Sequence, residues 1–129
     1  FEDLFDLVEY HCTTRRSGTR EFETCEATVK LEVRGKPEYT VAEGDGPVNA
    51  LDGALRKALH PFYPNIDAVT LQDYKVRIID SDNATAATTR VLIDTVYGSK
   101  RWSTIGASSN IIDASWLALA DSMEYALLQ

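Results

Sequence analysis

The same order of segments occurs twice in this 129-residue chain: three extended segments, a glycine-containing turn and an amphipathic helix. The glycine turns begin at Gly44 and Gly106, and small and apolar residues recur at an i, i+4 interval in both helices. The period of roughly sixty residues is longer than that of common solenoid repeats. It therefore predicts one domain with an α+β fold, built from two βββα units at about residues 5–62 and 68–128.

Each unit is expected to form a three-stranded antiparallel sheet with one helix covering one face. We expect the two units to be related by a pseudo-twofold axis, which would also relate the two glycine turns. A ligand site at or between these turns is one interpretation. A duplication that has kept no site is the other.

The clearest strand is Glu26–Arg34, in which apolar and polar residues alternate. The side chains expected on its buried face are Ala27, Val29, Leu31 and Val33. A strand at Leu7–Cys12 precedes it. The segment Tyr39–Ala42 is the expected hairpin partner, after a turn at residues 34–37.

The stretch Ala42–Leu59 connects this hairpin to the first helix. Pro47 suits the first helical turn, because the N–H that proline lacks has no partner inside the helix there. The apolar face of the helix consists of Ala50, Leu51, Ala54, Leu55 and Ala58. Glycines before a helix leave backbone N–H groups accessible to a carboxylate or phosphate. A strand-to-helix turn without a ligand accounts for the same residues, because a lone G-x-G is a weak signal.

The second half repeats the pattern with strands at Leu71–Ile79, Ala87–Val96 and Arg101–Ile105. In the first of these, alternation predicts two faces. One face carries Leu71, Asp73, Lys75 and Arg77, and the other carries Tyr74, Val76 and Ile78.

The segment Gly106–Asn110 is expected to end the second sheet. A helix at Ile111–Leu128 follows, and either Ser109 or Asn110 is expected to be its N-cap.

Composition excludes several classes of protein. The net charge of −7 and the absence of a basic stripe argue against nucleic acid as a partner. No apolar run is long enough to span a membrane, and no secretory leader is seen. Cys12 and Cys25 fit two free thiols in a cytoplasmic protein better than a disulfide, and they lack metal-site spacing. Because the chain begins with Phe1, we expect it to be part of a longer protein.

No catalytic constellation is apparent from spacing. The serines have no neighbouring histidine base, and His11 and His60 are too few for a histidine-rich metal site. The carboxylates are scattered and are expected to be solvated surface charges. A binding module is therefore favoured over an enzyme, with no catalytic residue and no metal ligand assigned.

Three motifs in order closely resemble the C-terminal regulatory domain of the 2-isopropylmalate synthase family. They are A-E-G-D-G-P-V-N-A-L-D at the start of Ala42–Leu59, L-x-D-Y-K-V-R-I at Leu71–Ile78, and R-W-S-T-I-G-A-S-S-N-I-I-D-A-S-W within Arg101–Ser122. The third motif is most similar to the citramalate synthase branch. The resemblance runs from about Phe5 to Leu128 and also implies two βββα units.

In such enzymes a separate TIM barrel condenses acetyl-CoA with a 2-keto acid and uses a divalent metal. The resemblance implies that this fragment lacks that barrel, needs no cofactor of its own and does not catalyse. It implies a homodimer that works with the barrel of the same chain and binds an end-product amino acid. Isoleucine would be the effector of a citramalate synthase and leucine that of a 2-isopropylmalate synthase. A structural dimerisation module without a ligand is the remaining alternative.

The matching motifs also imply the effector contacts. These are Gly44, Gly46, Val48, Asn49, Leu71, Tyr74, Ile78, Ala84, Ala87, Ser109 and Ile111. The effector carboxylate would lie at a helix start, with its side chain against Leu71, Tyr74 and Ile78. Asn49 stands where some relatives carry Asp, so Asp73 or backbone carbonyls are the expected partners of the effector ammonium group.

Overall fold

The computed structural model describes residues 4–15, 24–79 and 88–128. They belong to two compact units, Phe1–Ile66 and Asp67–Gln129. Each unit contains a three-stranded antiparallel sheet followed by a helix, which confirms the predicted α+β fold. The elements of the first unit are β1 (Asp6–Arg15), β2 (Thr24–Val33), β3 (Lys36–Gly44) and α1 (Pro47–Leu59). After a short 3₁₀-helix at Pro64–Ala68, those of the second are β4 (Val69–Ile79), β5 (Thr88–Tyr97), β6 (Lys100–Ser108) and α2 (Ile111–Leu127).

The central strand β2 follows the predicted alternation, and its four inward side chains are fully buried. The turn that follows is tighter than expected, because Lys36 and Pro37 already pair with β2. Arg34 and Gly35 form the turn with φ angles of 52° and 78°. Two positive φ angles are typical of a type I′ hairpin turn, whose twist matches that of the flanking strands.

The two units correspond residue by residue. β2 and β5, β3 and β6, and α1 and α2 each begin 64 residues apart. The strand register keeps the same interval, since Cys25 pairs with Gly44 and Thr89 pairs with Ser108. The predicted repeat is therefore confirmed in the helices, but the pairing of Gly44 with Gly106 is wrong. Ser108 is the counterpart of Gly44.

Gly106 also does not end the second sheet. It pairs with Val91 inside β6, which continues to Ser108. Glycine is suited to this position because α2 passes directly over it: an added Cβ would lie 2.0 Å from the backbone oxygen of Ala114. The sequence signal that predicted a break instead marks close helix-to-sheet packing.

Each helix covers the central strand and the last strand of its own sheet. In the first unit, Leu51, Leu55 and Leu59 of α1 are buried on this side of the sheet. In the second, Leu119 and Met123 of α2 are buried in the same way. We call this helix-covered side of each sheet its inner face.

One polar pair lies inside the second core. Thr95 Oγ1 and Ser122 Oγ are 2.5 Å apart, and both residues are buried. The residues that correspond to Thr95 and Ser122 in the first unit, 64 residues earlier, are Leu31 and Ala58. The fold therefore does not require a polar pair at these positions.

We expect Ser122→Ala to destabilise the second unit by about 1–3 kcal/mol, because it leaves the buried Thr95 hydroxyl without its partner. The double variant Thr95→Val, Ser122→Ala removes both hydroxyls and should recover most of that loss. Urea unfolding of both variants and the parent chain measures this difference. A double variant no more stable than Ser122→Ala would contradict the expectation.

Candidate functional site

The first helix begins without a side-chain cap. Its N-cap is Gly46, with extended backbone angles of φ −157° and ψ 178°, and no side chain makes a capping hydrogen bond. The first backbone bond inside the helix runs from the Ala50 N–H to the Gly46 carbonyl. Val48 is buried at this end, whereas the Asn49 side chain is exposed. The helix start is therefore uncapped by any side chain at its positive dipole end, and anion binding there stays a prediction.

The two glycines of this turn have different structural roles. A Cβ on Gly44 would lie 2.6 Å from the backbone nitrogen of Ala50 and 2.8 Å from the Asn49 Cβ. A Cβ on Gly46 would have no atom within 4 Å. Gly44 is therefore required for β3 to pass close to α1, whereas Gly46 leaves open space where a ligand could approach.

This difference predicts distinct outcomes for two alanine substitutions. Gly44→Ala should destabilise the first unit by about 1–3 kcal/mol, because backbone atoms must move to accept the new methyl group. Gly46→Ala should cost less, under about 1 kcal/mol, because the new methyl group meets no atom and only the preference of an N-cap for glycine over alanine is lost. Thermal unfolding of the two variants checks the contrast, and equal losses would contradict it.

The second helix start differs from the first. Asn110 is the N-cap, and its side-chain oxygen accepts hydrogen bonds from the N–H groups of Ile112 (2.8 Å) and Asp113 (3.4 Å). Of the two predicted caps, Asn110 is confirmed and Ser109 is not the cap. Asp113 also brings a carboxylate into the first turn. An anion would have to compete with both groups, so α1 is the more suitable anion anchor.

A β-bulge changes the predicted faces of β4. The register shifts between Leu71 and Asp73. Leu71 pairs with Thr95 and Tyr74 pairs with Ile93, and both partners are buried on the inner face. Directly paired residues share a face of the sheet. Leu71 therefore lies on the same face as Tyr74, and its predicted grouping with Asp73 is wrong.

The inner face of β4 carries an uncovered apolar surface. α2 packs on β5 and β6 rather than on β4. Tyr74, Val76 and Ile78 consequently keep exposed fractions of 46%, 39% and 71%. We call Leu71, Tyr74, Val76 and Ile78 the β4 strip. It has the apolar chemistry that the wall of a pocket for a branched side chain needs.

The implied effector contacts fall into both units. Gly44, Gly46, Val48 and Asn49 lie together at the start of α1. Leu71, Tyr74 and Ile78 lie on one face of β4, whereas Ser109 and Ile111 flank the start of α2. Ala84 and Ala87 lie outside the described residues.

Two further residues of β4 alter the expected set. Val76 lies on the same face as Tyr74, as the period-two alternation predicted. It is nevertheless absent from the effector contacts that the resemblance implies. Asp73 pairs with Asp94 on the opposite face of the sheet. It therefore cannot face a ligand that rests on the Tyr74 ring, and backbone carbonyls remain the expected partners of an ammonium group.

Asp52 and Arg56 of α1 are structural partners of each other. Asp52 accepts a hydrogen bond of 2.9 Å from Arg56 Nε, and Arg56 also donates to the Ile66 carbonyl. Burial raises the pKa of Asp52, although the Arg56 charge opposes the shift. No three His, Cys, Asp or Glu side chains within the described residues come together to hold a metal.

Neither α1 nor α2, the two α-helices in the described ranges, is both long and apolar enough to cross a bilayer.

The chain matches the family model of the LeuA allosteric (dimerisation) domain over residues 2–127. It is 47% identical over 128 residues to an (R)-citramalate synthase of Aquifex aeolicus, covering 99% of this chain and 24% of that protein. It is 56% identical over 124 residues to an (R)-citramalate synthase of Geobacter sulfurreducens, covering 96% and 24%. The chain thus spans about a quarter of the length of these relatives.

A second group of relatives is more distant. A 2-isopropylmalate synthase of Aquifex aeolicus is 33% identical over 105 residues, which cover 80% of this chain and 18% of that protein. The resemblance to the citramalate synthase branch is therefore confirmed, because identity to that branch is clearly higher.

Proposed function

The chain belongs to the LeuA allosteric (dimerisation) domain family, and we propose from this premise that it binds a branched-chain amino acid, isoleucine, as a feedback effector. The family assignment makes it a regulatory and dimerisation domain of the citramalate synthase type. The observation that carries the choice of ligand is the β4 strip, an exposed apolar surface that α2 leaves uncovered.

Each unit, taken by itself, offers chemistry that one part of an amino acid needs. In the first unit, the start of α1 suits a carboxylate, because no side chain caps the helix and the dipole favours negative charge. A branched apolar side chain suits the β4 strip, whose Tyr74 ring offers a large contact surface. The start of α2 is the weaker anchor, because Asn110 already occupies its N–H groups.

Isoleucine is preferred over leucine because relatives named (R)-citramalate synthase match better than those named 2-isopropylmalate synthase. The position of one methyl group separates such ligands by only about 1–3 kcal/mol in an apolar pocket. Leucine is accordingly the second candidate effector.

We place the dimer contact on the outer faces of the sheets, opposite the helices. On this side, Tyr39 and Val41 of β3 and Ile105 of β6 are large apolar residues with substantial exposure. Two pairs of corresponding positions on this side carry opposite charges, Glu26 with Arg90 and Lys30 with Asp94. Apolar side chains with complementary charges are what an interface between two copies needs.

For the whole protein, we propose condensation of acetyl-CoA with pyruvate in a separate barrel domain, which would hold the divalent metal. A cytoplasmic location agrees with the free thiols of Cys12 and Cys25. Inhibition then requires isoleucine to bind one arrangement of the dimer more tightly than another.

Calorimetric titration of the chain with isoleucine, leucine and alanine tests the proposal. We expect isoleucine to bind most tightly, leucine to bind more weakly and alanine, which lacks a branched side chain, to bind least. A folded dimer that binds none of them would contradict the effector function and support the structural dimerisation module.

A further inference from the structure

The two cysteines of the chain come together although they lie 13 residues apart. Cys12 is on β1 and Cys25 is on β2, and their sulfur atoms are 2.8 Å apart. Cys12 pairs with Ala27 and Cys25 pairs with Thr14, so the cysteines are diagonal neighbours on the inner face of the first sheet. Both are free thiols in this structure.

From this geometry we propose that Cys12 and Cys25 form a reversible disulfide when a small disulfide oxidant such as oxidised glutathione is present. A disulfide bond is about 2.0 Å long, so the two sulfur atoms need to approach by under about 1 Å. The fold does not require thiols at these two positions, because the corresponding residues in the second unit are Val76 and Thr89.

The two sulfurs have different roles in the exchange because they differ in access. Cys12 is half-buried, whereas Cys25 is almost fully buried. The Cys12 thiolate attacks one sulfur of oxidised glutathione, breaks its S–S bond and releases one glutathione thiolate. The Cys25 thiolate then attacks the Cys12 sulfur and releases the second. In total, two protein thiols are oxidised, one glutathione disulfide is reduced, and the two protons pass to the released thiolates.

Two features keep this disulfide slow to form and easy to reverse. Burial and the adjacent Cys25 thiol raise the pKa of Cys12 to about 12, so its reactive thiolate is scarce at neutral pH. Diagonal neighbours on paired strands stand about 7–8 Å apart, just beyond the usual Cα span of a disulfide. Closing the bond therefore draws the edge strand β1 toward β2, and a bond that holds strands in this way is readily reduced.

The test incubates the chain with oxidised glutathione and then counts thiols in denaturant, before and after treatment with dithiothreitol. We expect both thiols to be lost, a mass lower by two hydrogens with no glutathione attached, and full recovery on reduction. Two thiols remaining, a stable glutathione adduct or a disulfide between chains would each overturn the proposal.

Two serine variants test the order of events independently of the parent chain. Cys25→Ser should stop at a mixed disulfide and gain the mass of one glutathione on Cys12. Cys12→Ser should react far more slowly, because only the buried sulfur remains. Equal modification of the two variants, with both retaining the circular dichroism of the parent, would contradict the assigned roles.

Discussion

Gly106→Ala is expected to destabilise the second unit more than Gly44→Ala destabilises the first. The new Cβ would lie 2.0 Å from the Ala114 backbone oxygen, 2.7 Å from the Ala118 nitrogen and 3.0 Å from the Leu117 Cβ. Backbone atoms of a packed helix cannot rotate away as a flexible side chain can, so α2 must separate from β6. Overpacking of a core typically costs about 1–3 kcal/mol, and we expect at least the upper end of that range at this position.

Urea unfolding measures this loss, and Gly53→Ala is the matched control. At Gly53 in α1, an added Cβ would meet only the side-chain Cβ of Ala42, at 3.0 Å. Alanine also favours a helix over glycine by about 0.5–1 kcal/mol, which offsets part of the crowding. A Gly106→Ala chain that unfolds at the same urea concentration as Gly53→Ala would contradict the packing argument.

The two glycines show how the repeated units solve one packing problem in two ways. Gly53 of the first helix faces Ala42 of the sheet. At the 64-residue interval, the corresponding pair in the second unit is Leu117 on the helix and Gly106 on the sheet. The first unit therefore has its glycine on the helix, and the second has its glycine on the sheet. In both units this glycine lets the helix pack close to the last strand of its own sheet, which is β3 in the first unit and β6 in the second.

Tyr74→Ala is expected to remove most isoleucine binding while leaving the dimer intact. Tyr74 is the largest side chain of the β4 strip and remains 46% exposed, so it contributes contact surface rather than core packing. Burying a large apolar side chain is worth about 1.5–3 kcal/mol, which corresponds to a loss of affinity of about 10- to 150-fold.

Calorimetry gives the affinity, and light scattering gives the mass of the assembly. Lys75→Ala is the matched control, because Lys75 is the next residue of β4 and lies on the opposite face. It should bind isoleucine as the parent chain does. Unchanged affinity in Tyr74→Ala would exclude the β4 strip as the pocket wall, and loss of the dimer would show that Tyr74 serves the interface instead.

Periodicity predicted the fold well because each element shows its buried face in sequence. The alternation of β2 and the helical spacing of α1 both agree with the side chains that are buried. The bulge at β4 was not predictable, because Gln72 resembles any other polar residue of a strand. It reverses the face of Leu71 and thereby adds this residue to the β4 strip.

The turns were harder to predict than the strands, because glycine has several structural uses. Gly106 suggested a break but serves close packing within β6. Gly44 suggested an anion site. Close packing alone explains this glycine, because a side chain at position 44 would collide with Asn49 and Ala50. The effector contacts were inferred from the family resemblance, because residue spacing alone does not distinguish them from other residues. The effector site therefore stays a prediction.

A crystal structure of the chain grown with isoleucine would show whether the amino acid binds to the β4 strip. We expect density for the amino acid on the β4 strip, with its branched side chain against the Tyr74 ring. A well-ordered dimer with no isoleucine on the β4 strip, or with isoleucine bound elsewhere, would contradict the proposed effector function.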